Sequence, residues 1–282
     1  MKQERFYIVQ TETTLLPFLL EHMKGLSRNS VKNLLPRRQV LVDGQPVTRH
    51  DYPLKPGTRV ELLAAGTKAP PFPILYEDDN LLVIDKPAGL LAVASDREKN
   101  RTAYRAVSDY MKGKGGRVFV IHRLDKDTSG VLLFAKSEKV KRAYQDNWDS
   151  LVRERAYLAL VEGSPKSAEG TIHSWLKETE THLVYSTDHP AGNAKEAVTH
   201  YRVLAQKGAF SLLAVSLDTG RKNQIRVHMK DLGTPVTGDK KYGAGANPLG
   251  RLGLHAHVVR VIDPFTQKEM TFTAPPPKGF RV

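Results

Sequence analysis

The chain contains no cysteine. That excludes disulfides, a thiol nucleophile and any zinc site built on cysteinate. No apolar run approaches the roughly 20 residues that a membrane-spanning helix needs. The opening residues, MKQERFYIVQ, hold no secretory h-region. A cytoplasmic protein without membrane contact is the expectation. Neither GxxxxGK[ST] nor GxGxxG occurs, so a nucleotide-dependent enzyme would lack its phosphate cradle. Gly243-Ala244-Gly245-Ala246 lacks the strand-to-helix setting of such a loop. A metal nuclease would want clustered carboxylates or histidines at ligand spacing. His255 and His257 alternate on an expected strand and read as sheet residues. No repeat of fixed period is found, and no metal or cofactor is expected.

Positive charge is plentiful. The 282 residues hold 43 Lys and Arg against 30 Asp and Glu, a formal net charge of +13. A basic surface attracts polyanions and speeds their encounter, and nucleic acid is the partner this favours. The excess is not confined to a tail: residues 1–65 hold ten Lys and Arg against six Asp and Glu. Two RNA-facing domains fit this better than a globule with a basic arm.

Residues 10–65 read as a small α+β unit. Thr14-Leu15-Leu16-Pro17 opens a helix, with Leu16, Leu19, Leu20 and Met23 on one face. Gly25 ends it, and Ser27 caps a second helix that turns Val31, Leu34 and Leu35 inward and Arg28 and Lys32 outward. Val40-Leu41-Val42, Asp43-Gly44 and Gln45-Pro46-Val47 spell a hairpin with a tight primed turn. A strand over residues 57–62 follows. Three prolines in residues 66–73 mark a linker and a domain boundary. From residue 74 to 282, strands are expected at 81–84, 117–121, 131–134, 156–161, 210–217 and 251–261. Helices are expected at 102–111 and 138–148. Few helices among many strands imply an α+β fold with a mainly antiparallel mixed sheet, and not a doubly wound one.

The densest chemistry lies in His122-Arg123-Leu124-Asp125-Lys126-Asp127-Thr128-Ser129-Gly130, a polar loop between two apolar runs. It reads as strand, loop, strand: a functional loop on a hairpin. Asp127 precedes a cluster of turn formers and is expected to bond the backbone just ahead of it. Asp125 has no such local role and is free to project into a cleft.

HRLDKDTSGVLLFAK resembles the nucleophile motif of the RluA-type pseudouridine synthases, which isomerise uridine in structured RNA. Four further stretches resemble that family in the same order: residues 77–89; residues 155–163 around Tyr157; residues 217–228; and residues 238–243 with 252–256. Asn223 stands where the family often has His. Residues 1–65 similarly resemble an S4 RNA-binding domain.

The resemblance implies a pseudouridine synthase fold and cofactor-free chemistry. Asp125 would be the catalytic residue, attacking C1′ of the ribose or removing its C2′ proton. Arg226 would keep that carboxylate ionised and oriented, since a partly dry carboxylate needs a cation. Tyr157 would pack on the uracil and serve near C5. Arg123 would fill the space the flipped base vacates. The remaining substrate-binding candidates are His122, Arg221, Ile225, Leu254 and Lys86, with Arg28 and Lys32 on the N-terminal unit. Core burial competes for Ile225 and Leu254, and a strand-end hydrogen bond for His122. Large-subunit ribosomal RNA is the expected substrate and a monomer the expected state. The alternatives are transfer RNA as substrate, or a non-catalytic RNA-binding or ribosome-assembly protein.

Overall fold

The computed structural model describes residues 5–96, 98–190 and 192–280. The outermost residues of the expected divisions, 1–4 and 281–282, lie outside these. The chain divides into two compact units. The first holds the chain up to Lys86, then Ala92–Arg123 and Leu132–Arg142; the second holds Pro87–Leu91, Leu124–Val131 and the chain from Ala143 onward. These units cut across the expected boundary at residues 66–73.

The first unit opens with β1 (Arg5–Ile8), β2 (Thr13–Thr14), α1 (Leu15–His22), α2 (Arg28–Lys32), β3 (Val40–Val42), β4 (Gln45–Pro46), β5 (Pro53–Leu54) and β6 (Arg59–Leu62). One antiparallel sheet runs β1-β6-β3-β4, and β2 pairs with β5. The helices, and the turn that follows α2, cover it with Leu15, Leu16, Phe18, Leu19, Val31 and Leu35, all buried. Ser27 caps α2, its Oγ accepting from Ser30 N at 3.1 Å. Asp43 and Gly44 both have positive φ, +46° and +75°, as the primed turn requires. Gly44 is needed twice, since a Cβ there would strike the carbonyl of Ile74.

Residues 66–73 carry neither helix nor strand, but they are not a loose tether. Thr67, Ala69 and Phe72 are buried. Thr67 Oγ1 donates to Gly113 O at 2.9 Å, and Ala69 N donates to Arg38 O at 2.9 Å. The prolines stop secondary structure without freeing the chain.

The unit continues with β7 (Ile74–Glu77), β8 (Leu81–Lys86), α3 (Ala103–Gly113), β9 (Phe119–Val120), β10 (Ser129–Ala135), whose first three residues belong to the second unit, and α4 (Glu138–Asp146), whose last turn passes into the second unit. Asp78 Oδ1 accepts from the amides of Asn80 and Leu81 and closes the β7–β8 turn. Leu81, Leu82, Val83 and Ile84 are all fully buried, so β8 is covered on both faces. Glu77 is a partly buried charge of this unit, its side chain 16% exposed. Its carboxylate accepts from Tyr110 Oη at 2.7 Å and from the Lys114 and Lys136 ammoniums at 3.0 Å each. Burial opposes its ionisation, but these three donors hold the pKa below the usual carboxylate value.

β9 and β10 pair antiparallel, Val120 with Phe134 and Phe119 with Ala135. The expected hairpin is therefore present, with residues 121–128 as its loop. Its first strand is only two residues, shorter than the expected 117–121. β10 begins two residues before the expected Val131.

The second unit adds α5 (Trp148–Leu151), β11 (Val152–Glu162), β12 (Glu169–Glu178), β13 (Val184–Thr187), β14 (Lys195–Lys207), β15 (Phe210–Leu217), α6 (Gln224–Asp231), β16 (Leu254–Ile262) and β17 (Glu269–Thr273). The strands run β13-β12-β14-β15-β11-β16, with β17 on β16. All these pairs are antiparallel. The start of β10 joins β16 in parallel, Ser129 opposite His255 and Gly130 opposite Ala256. Gly130 has φ +115°, and a Cβ there would run into the Ala256 carbonyl, so this approach requires glycine. The architecture is the α+β, mainly antiparallel one expected. Ile225 and Met229, one helical turn apart, seat α6 on Ala159, Val161, Leu213 and Val215 of the sheet.

Candidate active site

The residues that converge around Asp125 all belong to the second unit. Asp125 follows Leu124, which is buried and anchors the loop. The Asp125 side chain is 29% exposed, and its Oδ2 lies 3.7 Å from Arg226 Nη1. Arg226 sits on the first turn of α6, 12% exposed. Asp239 grips its other edge in a two-pronged ion pair, Nε to Oδ2 at 2.6 Å and Nη2 to Oδ1 at 2.7 Å. Asn223 Oδ1 accepts from Nη1 at 3.0 Å. The guanidinium carbon lies 4.9 Å from the centroid of the Tyr242 ring. Burial works against this charge. The bonds and field of Asp239, then the fields of Asp125 and Tyr242, outweigh it and raise the pKa above the ordinary value. Arg226 is thus a permanent cation with little freedom to turn, and it faces a single half-buried carboxylate.

Local sequence explains this placement. Gly238, at φ +74°, turns the chain where a Cβ would strike the Arg251 carbonyl. A short 3₁₀ turn, Lys240–Tyr242, then delivers both Asp239 and Tyr242 to Arg226. Asn223 precedes α6 with φ +55°, a left-handed conformation that asparagine tolerates better than most residues. Its Nδ2 donates to Tyr242 Oη at 3.0 Å. Gln224 pins the preceding loop: its Oε1 accepts from Thr219 Oγ1 and Arg221 N, and its Nε2 donates to Val198 O and Thr199 Oγ1. His228 sits between Ser174 and Thr199, and burial lowers its pKa to about 4. It is neutral at physiological pH.

Tyr157 lies on β11 and packs against the cluster that holds Ile225 and Leu254. Burial pushes its phenol up to about 12; the nearby Arg155 opposes this and Asp125 adds to it. At neutral pH it is a protonated phenol and not a phenolate. Ile225 and Leu254 are buried in that cluster, which joins the two competing expectations for them: core residues, packed with Tyr157.

The other candidates are placed as follows. His122 Nε2 accepts from Leu133 N at 3.1 Å, the strand-end bond expected of it. Arg123, Arg28 and Lys32 are exposed. Arg221 is exposed and donates from Nε to Glu196 O at 2.9 Å. Lys86 is fully buried in β8 and presents no ammonium to solvent. Asp127 is exposed, and among the described residues its carboxylate caps no backbone amide; the turn it precedes is held differently. Ser129 Oγ receives Arg251 Nη2 at 2.7 Å and bonds His255 Nδ1 at 2.8 Å. Burial lowers the His255 pKa to about 4, so this too is a neutral structural imidazole. Both His255 and His257 bond the Ala274 carbonyl. Among the described residues, no group of three or more His, Asp or Glu side chains is arranged to hold a metal ion.

The sequence alone gives Asp239, Tyr242 and Asn223 no role. The signals there are the resemblance of residues 238–243 to the family and the two glycines that bracket them. Which side chain that turn would meet depends on the tertiary fold.

Comparison with known proteins bears on this arrangement. The family model described as RNA pseudouridylate synthase matches residues 80–231. YhcT of Bacillus subtilis, described as an uncharacterized RNA pseudouridine synthase, is 35% identical over 212 residues, 74% of this chain and 70% of its own. Ribosomal large subunit pseudouridine synthase D of Salmonella typhimurium is 30% identical over 283 residues, 92% of this chain and 86% of its own. Among solved structures, human RNA pseudouridylate synthase domain containing 4 superposes with a TM-score of 0.60 at 25% identity, covering 73% of this chain and 89% of that one.

Proposed function

Because the chain belongs to the RNA pseudouridylate synthase family, we propose that Asp125 is its catalytic residue and large-subunit ribosomal RNA its substrate. The observation that carries this is the Asp125 carboxylate 3.7 Å from an arginine locked by Asp239 and Asn223. A fixed cation keeps the carboxylate ionised and aimed without reorganising during the reaction. The target uridine leaves its stack, at a cost of a few kcal/mol, and Arg123 fills the space. Asp125 then attacks C1′ or takes the C2′ proton, and the C1′–N1 bond breaks. The uracil turns and C5 bonds to C1′, as the Asp125 oxygen leaves C1′ in the first route or C2′ takes its proton back in the second; the C5 proton departs and N1 gains a proton, so the product is an isomer of the substrate.

Tyr157, protonated at neutral pH with a pKa near 12, suits packing on the uracil and donating a hydrogen bond more than acting as a resting base. Residues 1–65 serve as an S4-like RNA-binding domain, with Arg28 and Lys32 on the exposed face of α2 as its phosphate contacts. Residues 74–282 carry the chemistry. The ribosomal target rests on the relative named for the large subunit, and transfer RNA is the competing substrate. Mapping pseudouridine in ribosomal and transfer RNA from cells with and without this protein tests the choice: loss confined to large-subunit RNA supports it, and loss confined to transfer RNA reverses it.

A further inference from the structure

Beside the start of α6, the second unit carries a groove of about 350 Å³. Leu176 and Val184 supply apolar lining, and Lys177, Lys195, Arg221 and Lys222 supply charge. Its one carboxylate is Glu178, already engaged by the Lys222 ammonium and by His182 Nδ1 at 2.8 Å. Among the described residues, Lys177, Lys195 and Arg221 have no carboxylate within ion-pair distance. Arg221 spends only its Nε, on the Glu196 carbonyl, so both Nη groups stay available. A guanidinium fork with two ammoniums around one concavity matches phosphodiester oxygens.

We propose that this groove is a phosphate-binding subsite that grips the RNA backbone next to the target uridine. The inference rests on the synthase reading above. Lys222 is four residues from Arg226, so their Cα atoms are at most about 15 Å apart. Phosphates recur about every 3.4 Å along one strand of a duplex, so a phosphate held here lies within a few nucleotides of the reacting one. Such a grip has a use. Extruding a base costs a few kcal/mol, and contacts remote from the reacting atoms can supply it.

The test compares K177Q/K195Q with K166Q/K268Q, which removes the same charge from exposed positions outside the groove. Each is assayed for binding to a ribosomal RNA fragment across a salt titration and for tritium release from uridine labelled at C5. Losing two phosphate contacts should flatten the slope of log K against log salt by about 1.4–1.8 and weaken binding about 15- to 30-fold at 0.15 M salt. K177R/K195R, which keeps the charge, should bind like wild type. If K177Q/K195Q instead matches K166Q/K268Q in slope and affinity, the subsite is refuted while tritium release by wild type still upholds the synthase reading. If wild type releases no tritium yet the groove variant loses affinity, the synthase reading fails and the groove stands as an RNA site. Unchanged melting temperatures confirm that the substitutions leave the fold intact.

Discussion

Replacing Asp239 by asparagine separates holding the arginine from merely filling space. Asp239 is 1% exposed and makes two short bonds to a guanidinium that is itself 12% exposed. Removing one partner of a buried ion pair costs about 3–5 kcal/mol, because a charge is left uncompensated. Asparagine keeps the shape and one acceptor, and Asn223 and Asp125 still face Arg226, so the lower end, about 3 kcal/mol, is expected. At about 2–4 °C per kcal/mol for a chain of this size, melting should fall by about 6–12 °C. The catalytic effect is separate. An arginine released on one edge no longer aims its Nη1 at Asp125, and misplacing a catalytic group by about 1 Å costs about 100-fold. At 25 °C, with the variant still folded by circular dichroism, kcat should drop about 100-fold with KM within about threefold. A variant that melts and turns over like wild type would refute both the burial argument and the positioning role. One that melts early but keeps its kcat would leave Asp239 a structural residue only.

Other expectations follow from the same contacts. Asn223→Ala removes one bond to Arg226 and strains a left-handed position; kcat should fall about tenfold with little change in KM, and Asn223→Gly should restore the backbone but not the rate. Asp127→Asn should leave turnover and melting temperature unchanged, because the carboxylate is exposed and caps nothing among the described residues. His228 and His255 have folded pKa values near 4 against about 6.5 unfolded. Their stability contribution is therefore complete above about pH 6.5 and lost as pH falls toward 4, about 2 kcal/mol each by pH 5. Urea unfolding at pH 7 and pH 5 should show this loss, reduced in His228→Gln; equal losses in both proteins would contradict it. Arg28→Gln with Lys32→Gln should weaken RNA binding and flatten its salt dependence by about 1.4–1.8 with unchanged turnover at saturating RNA. Point variants are the cleaner probe of the N-terminal module. Deleting residues 1–73 would also strip the Thr67–Gly113 and Gly44–Ile74 hydrogen bonds from the remaining chain.

Much of the fold was legible where local signals and tertiary demands agree. Ser27 capped a helix as its side chain predicts, Asp43-Gly44 formed the primed turn, and Phe210–Leu217 is the expected strand. The long strands β12 and β14 and the edge strand β17 were not foreseen. Their residues mix His, Lys, Glu and Thr with few consecutive apolar ones, because one face of that sheet is solvated. The helix α6 was also missed. Ile225-Arg226-Val227-His228 alternates apolar and polar residues as a half-buried strand would, yet Ile225, Val227 and His228 are all buried on a helix set by Asn223 and Gln224. Of the candidate site, Asp125 and Arg226 were nameable from the loop and the family motifs. Asp239 was not, because its partner is 13 residues away in sequence and joined only by the turn at Gly238. The Pro-rich segment shows a limit of composition: it signals irregular backbone, whereas Thr67 and Phe72 determine that it packs.

The central claim is that Asp125 performs the chemistry of uridine isomerisation. The most direct measurement is tritium release from a large-subunit ribosomal RNA transcript labelled at uridine C5, with wild type and Asp125→Asn compared at equal RNA occupancy and with chelator present. Wild type should release tritium and Asp125→Asn none above background, while the two bind the transcript within about threefold of each other, since one carboxylate adds little to a contact made through phosphates. Tritium release by Asp125→Asn at a rate near wild type would contradict the claim.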